Sequence, residues 1–474
     1  MLFLLSIILF ISACILGGVI LSDAAKQKTE LMSMRNLFLA GLIVFQFTSG
    51  IIAFTVTDHN NPYAISDKTG PGIKYTIMLL LFTLGYMLIY RSGVVSNQIV
   101  KRINRKQVYV TWPKLCMLAI SFFFLGVFCR LVLVYVPYFG IYLYLFGASF
   151  FALATGLAAW AWVPRLWNPI PMFVAGFVVL GGLGVLFTDS FGRRDMLGIV
   201  VAFVWGAYYS TWRYMNYKKL VLRFGTTVTI GVIFLAAFTS TRHEFGIGVE
   251  SLSTRVTALA QADLLQGVMD LFSGQGAAAD SLYFIDTRPE PFEYDTLHSV
   301  KLFLVLPIPR SMWMEKPDAL GITSVQEIDH SDKPPGWNIG PGLVGHFAND
   351  NPFLALPLYT IILAIAFSFA DGLLNKFTYD PFIVLPMGVA LGQVIAIPRG
   401  ELGNFCATTS LYIFGGWVMM QVVARVLQFV SPGSSMYIDD TGSDGNWGDE
   451  DQSWQDSGYQ DYSDDQTHES AYES

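Results

Sequence analysis

Apolar stretches of about 20 residues recur along most of this 474-residue sequence, and they restrict its fold more than any other feature. Each is close to the length that a helix needs to cross a hydrocarbon core of roughly 30 Å. Only 14% of the residues are charged, against roughly 25% in typical soluble domains. The pattern predicts an all-α polytopic membrane protein with about 11 transmembrane helices. The predicted spans are 2–22, 36–57, 75–91, 114–136, 138–162, 170–188, 197–215, 226–240, 352–370, 380–397 and 405–428.

These spans divide the chain into four parts. Residues 1–240 contain about eight predicted helices, residues 241–351 form one large loop, and residues 352–430 contain about three more helices. Residues 431–474 form an acidic tail rich in Ser, Gly and Gln, a composition that predicts disorder. Twelve acidic residues and no Lys or Arg follow Pro432, so the net charge of −7 becomes about +5 without this tail.

Basic residues concentrate in three of the predicted loops, residues 23–36, 91–107 and 213–225. If the spans alternate in direction, these three loops lie on the same side of the membrane. Cytoplasmic loops are enriched in Lys and Arg, so this side is predicted to be the cytoplasm. The N-terminus and the large loop are then outside, and the acidic tail is inside.

Three short stretches on the predicted outer side nevertheless contain arginine. They are TDSFGRRDML with Arg193 and Arg194, PIPRSMWMEKP with Arg310 and Lys316, and AIPRGELGN with Arg399. Snorkelling of side chains to lipid headgroups explains single cases. Three clusters on one face favour a shared anion site, because the arginine fork matches phosphate oxygens and stays charged. Trp313 suits the headgroup level. Arg130, inside a predicted span, either faces the same site or snorkels outward.

The stretch FEYDTLHSVKLFLVLPIPRSMWMEKPDALG resembles the loop signature of the Wzy-type oligosaccharide repeat unit polymerases, in which Pro-Arg precedes a Trp and then Lys-Pro. PPGWNIGPGLVGHFANDNP resembles the segment that these proteins carry before their next span, with His346-Phe347 as a departure from the family pattern. FTDSFGRRDMLGIVVAFV and AIPRGEL resemble two further arginine motifs, although the serine of the first is displaced from the arginines. The resemblance covers roughly residues 180–420.

This resemblance implies a metal-independent glycosyltransferase of the bacterial cytoplasmic membrane. Such enzymes join repeat units linked to undecaprenyl pyrophosphate on the outer face of the membrane. A sugar hydroxyl of one unit attacks the anomeric carbon of the growing glycan, and undecaprenyl pyrophosphate leaves. No cofactor, nucleotide sugar or metal is expected, because the leaving group is already activated. The expected partners are lipid-linked oligosaccharides and membrane lipids, with a chain-length regulator and a flippase, and no nucleic acid.

Candidate roles follow from this chemistry. The residues expected to stabilise the departing pyrophosphate are Arg193, Arg194, Arg310 and Arg399. His346 is the first candidate for the general base that takes the proton of the acceptor hydroxyl. Other candidates for the base are His298, Glu293 and Glu401. The residues expected to bind substrate are Arg193, Lys316, Trp313, Glu401 and Arg130.

Three other functions are weighed against the polymerase. A ligase of similar architecture would use the same arginine chemistry and move the finished glycan to another acceptor. A transporter of an anionic lipid or glycan would carry charges at mid-membrane positions and internal repeats, of which the sequence gives few signs. A scaffold would recruit a partner through the acidic tail. The sequence contains no Walker A loop and no HExxH motif, no CxxC pair and no basic face for nucleic acid.

Overall fold

A computed structural model describes residues 1–26, 28–56, 65–94, 98–104, 110–189, 193–241, 257, 261–267, 276–327 and 339–430. The side chains of Arg193 and Arg194 and the predicted acidic tail from residue 431 lie outside this description. Every regular element within it is helical. In chain order the α-helices are α1 (Leu2–Ala25), α2 (Met34–Leu42), α3 (Ser49–Thr55), α4 (Thr69–Ser92), α5 (Trp112–Leu131), α6 (Gly140–Trp162), α7 (Pro169–Asp189), α8 (Arg193–Ser210), α9 (Tyr217–Thr241), α10 (Ala277–Thr287), α11 (His298–Val305), α12 (Leu320–Glu327), α13 (Gly342–Asn349), α14 (Pro352–Lys376), α15 (Pro381–Val389), α16 (Leu391–Ala396) and α17 (Leu402–Val430).

Nine helical segments in the described residues are long and apolar enough to cross a membrane. This confirms the prediction of an all-α, multi-pass membrane protein. The span predicted over 197–215 corresponds to α8, whose apolar part, Asp195–Ser210, is shorter than the other nine. The span predicted over 226–240 begins earlier, at Tyr217, because the basic residues in its first two turns lower the local hydropathy without ending the helix.

The predicted span 380–397 is broken at its centre. Ala390 separates α15 from α16, with φ −90° and ψ 0°. α15 is buried among α6, α8 and α17, and α16 among α2, α8 and α17. A Cβ at Gly388 would lie 2.5 Å from Cδ1 of Trp205, and the indole Nε1 donates to Val384 O at 2.8 Å. The broken helix is therefore enclosed by protein, the setting in which interrupted helices are tolerated at membrane depth.

The three basic loops meet at one end of the helix bundle. Asp23, at the end of α1, pairs with Arg35 at 3.0 Å and with Arg91, near the end of α4, at 3.4 Å. Glu30, in the first loop, pairs with Arg213 in the third loop at 2.7 Å. We call this the basic end. Its three loops come together as the alternation of the predicted spans requires.

The segments with α10 to α13 lie at the opposite end, which we call the far end. α8 shows this polarity, because Tyr208 near its C-terminus donates to Glu30 at 2.6 Å, whereas Asp195 in its first turn pairs with Arg130 of α5 at 3.0 Å. α14 runs the same way, with Lys376 at the basic end bonded to the carbonyl of Lys101 at 3.0 Å. α10 to α13 cover the far end, where α10 packs against α13, α3 and α4, and α11 packs against α17.

Candidate functional site

The turn at residues 398–402, which carries Arg399, is fixed by hydrogen bonds from two other elements. The Pro398 carbonyl accepts from Gln46 Nε2 at 2.5 Å and from the backbone N–H of Leu343 at 2.9 Å. The backbone N–H of Leu402, at the start of α17, donates to Nε2 of His346 at 3.1 Å. The backbone that presents Arg399 is therefore held between residues 43–48, α13 and the start of α17.

Gln46 reaches this turn from a π-helical segment, Ile43–Thr48, that connects α2 to α3. The Tyr75 hydroxyl lies 2.8 Å from the Gln46 carbonyl and 2.9 Å from its side-chain oxygen. The side chain of Gln46 is completely buried. Single-turn π segments frequently occur at functional sites, and this one directs a buried amide to the arginine turn.

Arg399 itself is half-buried beside an aromatic ring and a buried carboxyl group. Its guanidinium carbon lies 6.0 Å from the ring centre of Phe45, close to the limit for a cation–π contact. Asp280, in the first turn of α10, is only 8% exposed and interacts electrostatically with Arg399. Burial raises the pKa of Asp280 to about 8, and the Arg399 guanidinium opposes this rise. Asp280 is thus poised to gain or lose a proton near neutral pH.

Glu401 follows Arg399 by two residues and anchors the start of α12 to the turn at residues 398–402. Its Oε2 accepts from the backbone N–H of Gly321 at 3.2 Å, and its Oε1 lies 3.6 Å from Nε2 of His346. Burial raises the pKa of Glu401 to about 8, so the carboxyl group is mainly protonated at pH 7. In this arrangement Glu401 positions backbone rather than facing open solvent.

His346 is completely buried in α13, and both of its ring nitrogens are occupied. Nε2 accepts the Leu402 N–H, so in the neutral ring Nδ1 carries the proton and donates to Ser299 Oγ at 2.8 Å. Burial lowers the pKa of His346 to about 4, so the ring is neutral at pH 7. This geometry joins α11, α13 and α17, and it leaves neither nitrogen available for a substrate proton.

A second buried carboxylate completes the connection between α11 and α13. Asp350 Oδ2 accepts from the backbone N–H of Ser299 at 2.8 Å and from the Tyr359 hydroxyl at 2.5 Å. His298, another candidate for the general base, precedes Ser299 in α11 and is also buried. Glu293, a further candidate for the general base, is exposed in the loop before α11.

The Pro-Arg loop after α11 lies beside the N-terminus of α6. Tyr142 of α6 donates to the Leu306 carbonyl at 2.7 Å. The Lys316 ammonium group donates to the same carbonyl at 2.8 Å and to that of Ile308 at 2.9 Å, so this lysine closes the loop on itself. Arg310 is half exposed and pairs with Asp318. Trp313 is 38% exposed at the loop surface.

Arg130 lies in the last turn of α5 and is buried rather than snorkelling outward. Its guanidinium group pairs with Asp195 at 3.0 Å and lies 4.0 Å above the ring of Tyr144. Because Asp195 follows Arg193 and Arg194 in α8, this pair fixes the start of the helix that carries both arginines. A narrow polar slot about the size of one water molecule adjoins the pair, and its other polar side chains are Ser149, Gln393 and Tyr412.

The structure therefore brings Arg399, Glu401 and His346 together, and α11 connects this cluster to the loop with Arg310, Lys316 and Trp313. Sequence reasoning did not identify Asp280 or Gln46. The isolated amide of Gln46 within an apolar run is a usable signal, because buried polar groups in spans tend to be functional. Asp280 lacks such a signal, because its importance depends on the distant Arg399.

The described residues contain no cluster of three or more His, Cys, Asp or Glu side chains that could hold a metal ion. Comparison with protein-family models gives no match, and comparisons with characterised proteins and with solved structures give no significant match either. The function must therefore be argued from the site itself and from the motif resemblance.

Proposed function

We propose that this protein polymerises oligosaccharide repeat units linked to undecaprenyl pyrophosphate, in the manner of the Wzy-type polymerases. The growing glycan is transferred from its lipid carrier to a sugar hydroxyl of a second lipid-linked unit, and undecaprenyl pyrophosphate is released. The reaction takes place at the far end, on the outer face of the bacterial cytoplasmic membrane. The basic end and the acidic tail are cytoplasmic, in agreement with the positive-inside rule.

One observation carries this proposal: arginine-bearing segments distant in sequence meet at the end opposite the basic loops. The turn with Arg399 and the loop with Arg310 are joined through α11. Its first turn bonds to His346, and Leu306, just after its last residue, accepts from Lys316. α8 begins at the same end with Arg193 and Arg194. Arginines on the face opposite the basic loops can bind a pyrophosphate group, because the guanidinium fork matches its oxygens in charge and geometry.

The proposed roles follow from charge development during the transfer. Negative charge grows on the pyrophosphate as the bond to the anomeric carbon breaks, and prepositioned guanidinium groups stabilise it. Arg399 suits this role best, because its backbone is fixed by Gln46, Leu343 and His346 before substrate binds. Arg310 approaches from a more exposed loop and exchanges its Asp318 partner for the substrate.

The test uses purified protein in lipid nanodiscs, supplied with undecaprenyl-pyrophosphate-linked repeat units and no nucleotide sugar. Wild-type protein is expected to produce a ladder of glycans on a gel. Arg399→Ala is expected to reduce the rate by about 10²–10³-fold, the typical cost of one lost donor in such a site, and Arg310→Ala to abolish extension. Arg102→Ala removes an exposed arginine at the basic end and serves as the matched control, with unchanged product.

The alternatives predict different products in the same assay. A ligase gives no ladder but transfers the glycan to another added acceptor. A transporter or scaffold gives no turnover of lipid-linked sugar, although the protein has a normal melting transition. Wild-type chain lengths from both arginine variants would show that the far-end arginines do not act on the pyrophosphate.

A further inference from the structure

We propose that His298, oriented by Asp295, is the general base that accepts the proton of the attacking sugar hydroxyl, an inference that rests on the proposed polymerase function. His298 is the first residue of α11, so it lies on the same short helix that connects the arginine turn to the Pro-Arg loop. The role needs a ring nitrogen with a free lone pair, held in a fixed orientation at the far end.

Asp295 fixes the orientation of the His298 ring. Its Oδ2 lies 2.6 Å from His298 Nδ1, and its Oδ1 accepts from the Lys301 ammonium group at 2.8 Å. A carboxylate on Nδ1 favours the tautomer with the proton on that nitrogen, and it stabilises the imidazolium that forms after proton transfer. Nε2, the other ring nitrogen, then carries the lone pair.

Nε2 of His298 is buried and has no hydrogen-bond partner among the described residues. A buried acceptor without a partner destabilises the fold and calls for an explanation. His298 is 4% exposed and the Asp295 side chain is 47% exposed, so the pair lies where the packed helices meet the surface. An acceptor hydroxyl that reaches Nε2 would supply the missing hydrogen bond.

The comparison with His346 decides between the two buried histidines. His346 has Ser299 on one nitrogen and the Leu402 N–H on the other, so it acts as a positioning residue for the arginine turn. His298 has one nitrogen held and the other without a partner, which is the arrangement a general base needs. The two rings are close enough to interact electrostatically.

The charged and titratable groups nearest His298 come from its own segment and from α13 with the residue that follows it. Asp295 and Lys301 belong to the same segment, while His346 and Asp350 face it from α13, and Glu401 lies behind His346. Partial burial acts to raise the pKa of Asp295, but hydrogen bonds from Lys301 and His298 hold that pKa below its usual value. Asp295 is therefore ionised at pH 7 and can balance the charge of an imidazolium.

In the proposed step, each bond that forms is matched by one that breaks. The acceptor O–H bond breaks, its proton moves to Nε2 of His298, and the oxygen forms a bond to the anomeric carbon. The bond between that carbon and the pyrophosphate oxygen breaks, and its electron pair leaves with undecaprenyl pyrophosphate beside Arg399. The imidazolium pairs with Asp295 and then returns its proton to water.

The test compares His298→Gln with His346→Gln in the nanodisc assay. His298→Gln is expected to lower the rate by about 10²–10⁴-fold, the usual contribution of a general base, with a melting temperature close to that of the wild type. His346→Gln is expected to lower the melting temperature, because it loses bonds on two sides. Asp295→Asn is expected to fold normally, turn over more slowly and move the rise of rate with pH to lower pH, because the imidazolium loses its carboxylate.

The outcomes separate this inference from the function on which it rests. No ladder from the wild type would overturn both the polymerase and the base. A wild-type ladder with a normal rate in His298→Gln would overturn His298 alone and leave the polymerase intact. If His298→Gln fails to fold, Asp295→Asn decides, since an unchanged rate and pH profile in that variant would also refute the inference.

Discussion

At the scale of single residues, the far end contains carboxyl groups whose protonation is set by burial rather than by partners. Glu401 and Asp280 both have pKa values raised to about 8, mainly by burial. An acid that is protonated in the folded state but ionised in the unfolded state loses stabilising effect as pH rises between its two pKa values. Protonation at these two positions therefore links the stability of the arginine turn to pH.

This predicts that the wild-type protein becomes less stable as pH rises from about 5 to 8, with little further loss above 8. Each group contributes up to about 1.4 kcal/mol per pH unit in that window. Glu401→Gln keeps the acceptor oxygen for Gly321 and removes the titration, so its curve should be flatter than that of the wild type. Thermal unfolding in detergent at a series of pH values measures this, and parallel curves for both proteins would contradict it.

At the scale of elements, close helix contacts determine where the arginine turn lies. α2 and α16 pack almost backbone to backbone, because a Cβ at Gly41 would lie 2.1 Å from the Ile395 carbonyl oxygen. α16 leads directly into the turn that carries Arg399. A displacement of α16 away from α2 would therefore also move Pro398 away from Gln46.

Gly41→Ala is accordingly expected to destabilise the protein by about 1–3 kcal/mol, the usual cost of overpacking, and to slow polymerisation. Gly184→Ala is the matched control, because that glycine is also helical but has no other atom within 4 Å of the added Cβ. The control should be neutral or stabilising by about 0.5–1 kcal/mol. Melting temperatures of the two variants compare these effects, and equal values would argue against a tight α2–α16 contact.

At the scale of the whole molecule, the chain is polarised between a basic end and a far end. The proposed orientation places Trp313 outside the membrane and Arg102 in the cytoplasm. In a variant without its four native cysteines, Trp313→Cys should react with a membrane-impermeant thiol reagent. The test uses intact cells without an outer membrane, so that the reagent reaches the outer face of the cytoplasmic membrane. Arg102→Cys should react only after the membrane is permeabilised. The reverse pattern would invert the orientation and place the arginines on the cytoplasmic face.

Much of this organisation is predictable from sequence, because hydropathy alone determines which segments must be helical in a membrane. The approach of Arg399 and His346 could be expected only through the motif resemblance. The partners that hold them could not be foreseen, since Gln46, Ser299 and Leu402 act through hydrogen bonds that exist only after the helices pack. The Arg130–Asp195 pair likewise depends on helix packing rather than on local sequence.

The bond between Gln46 and Pro398 joins positions 352 residues apart, and the backbone N–H of Met34 likewise reaches Asp371 across 337 residues. A ribosome releases the first helices long before the last ones are made. During synthesis, the second span therefore waits in the membrane with a polar amide that has not yet reached its final partner. A nascent chain stopped before residue 398 would have Tyr75 as a partner for the Gln46 side-chain oxygen but no Pro398 carbonyl to accept from its amide nitrogen.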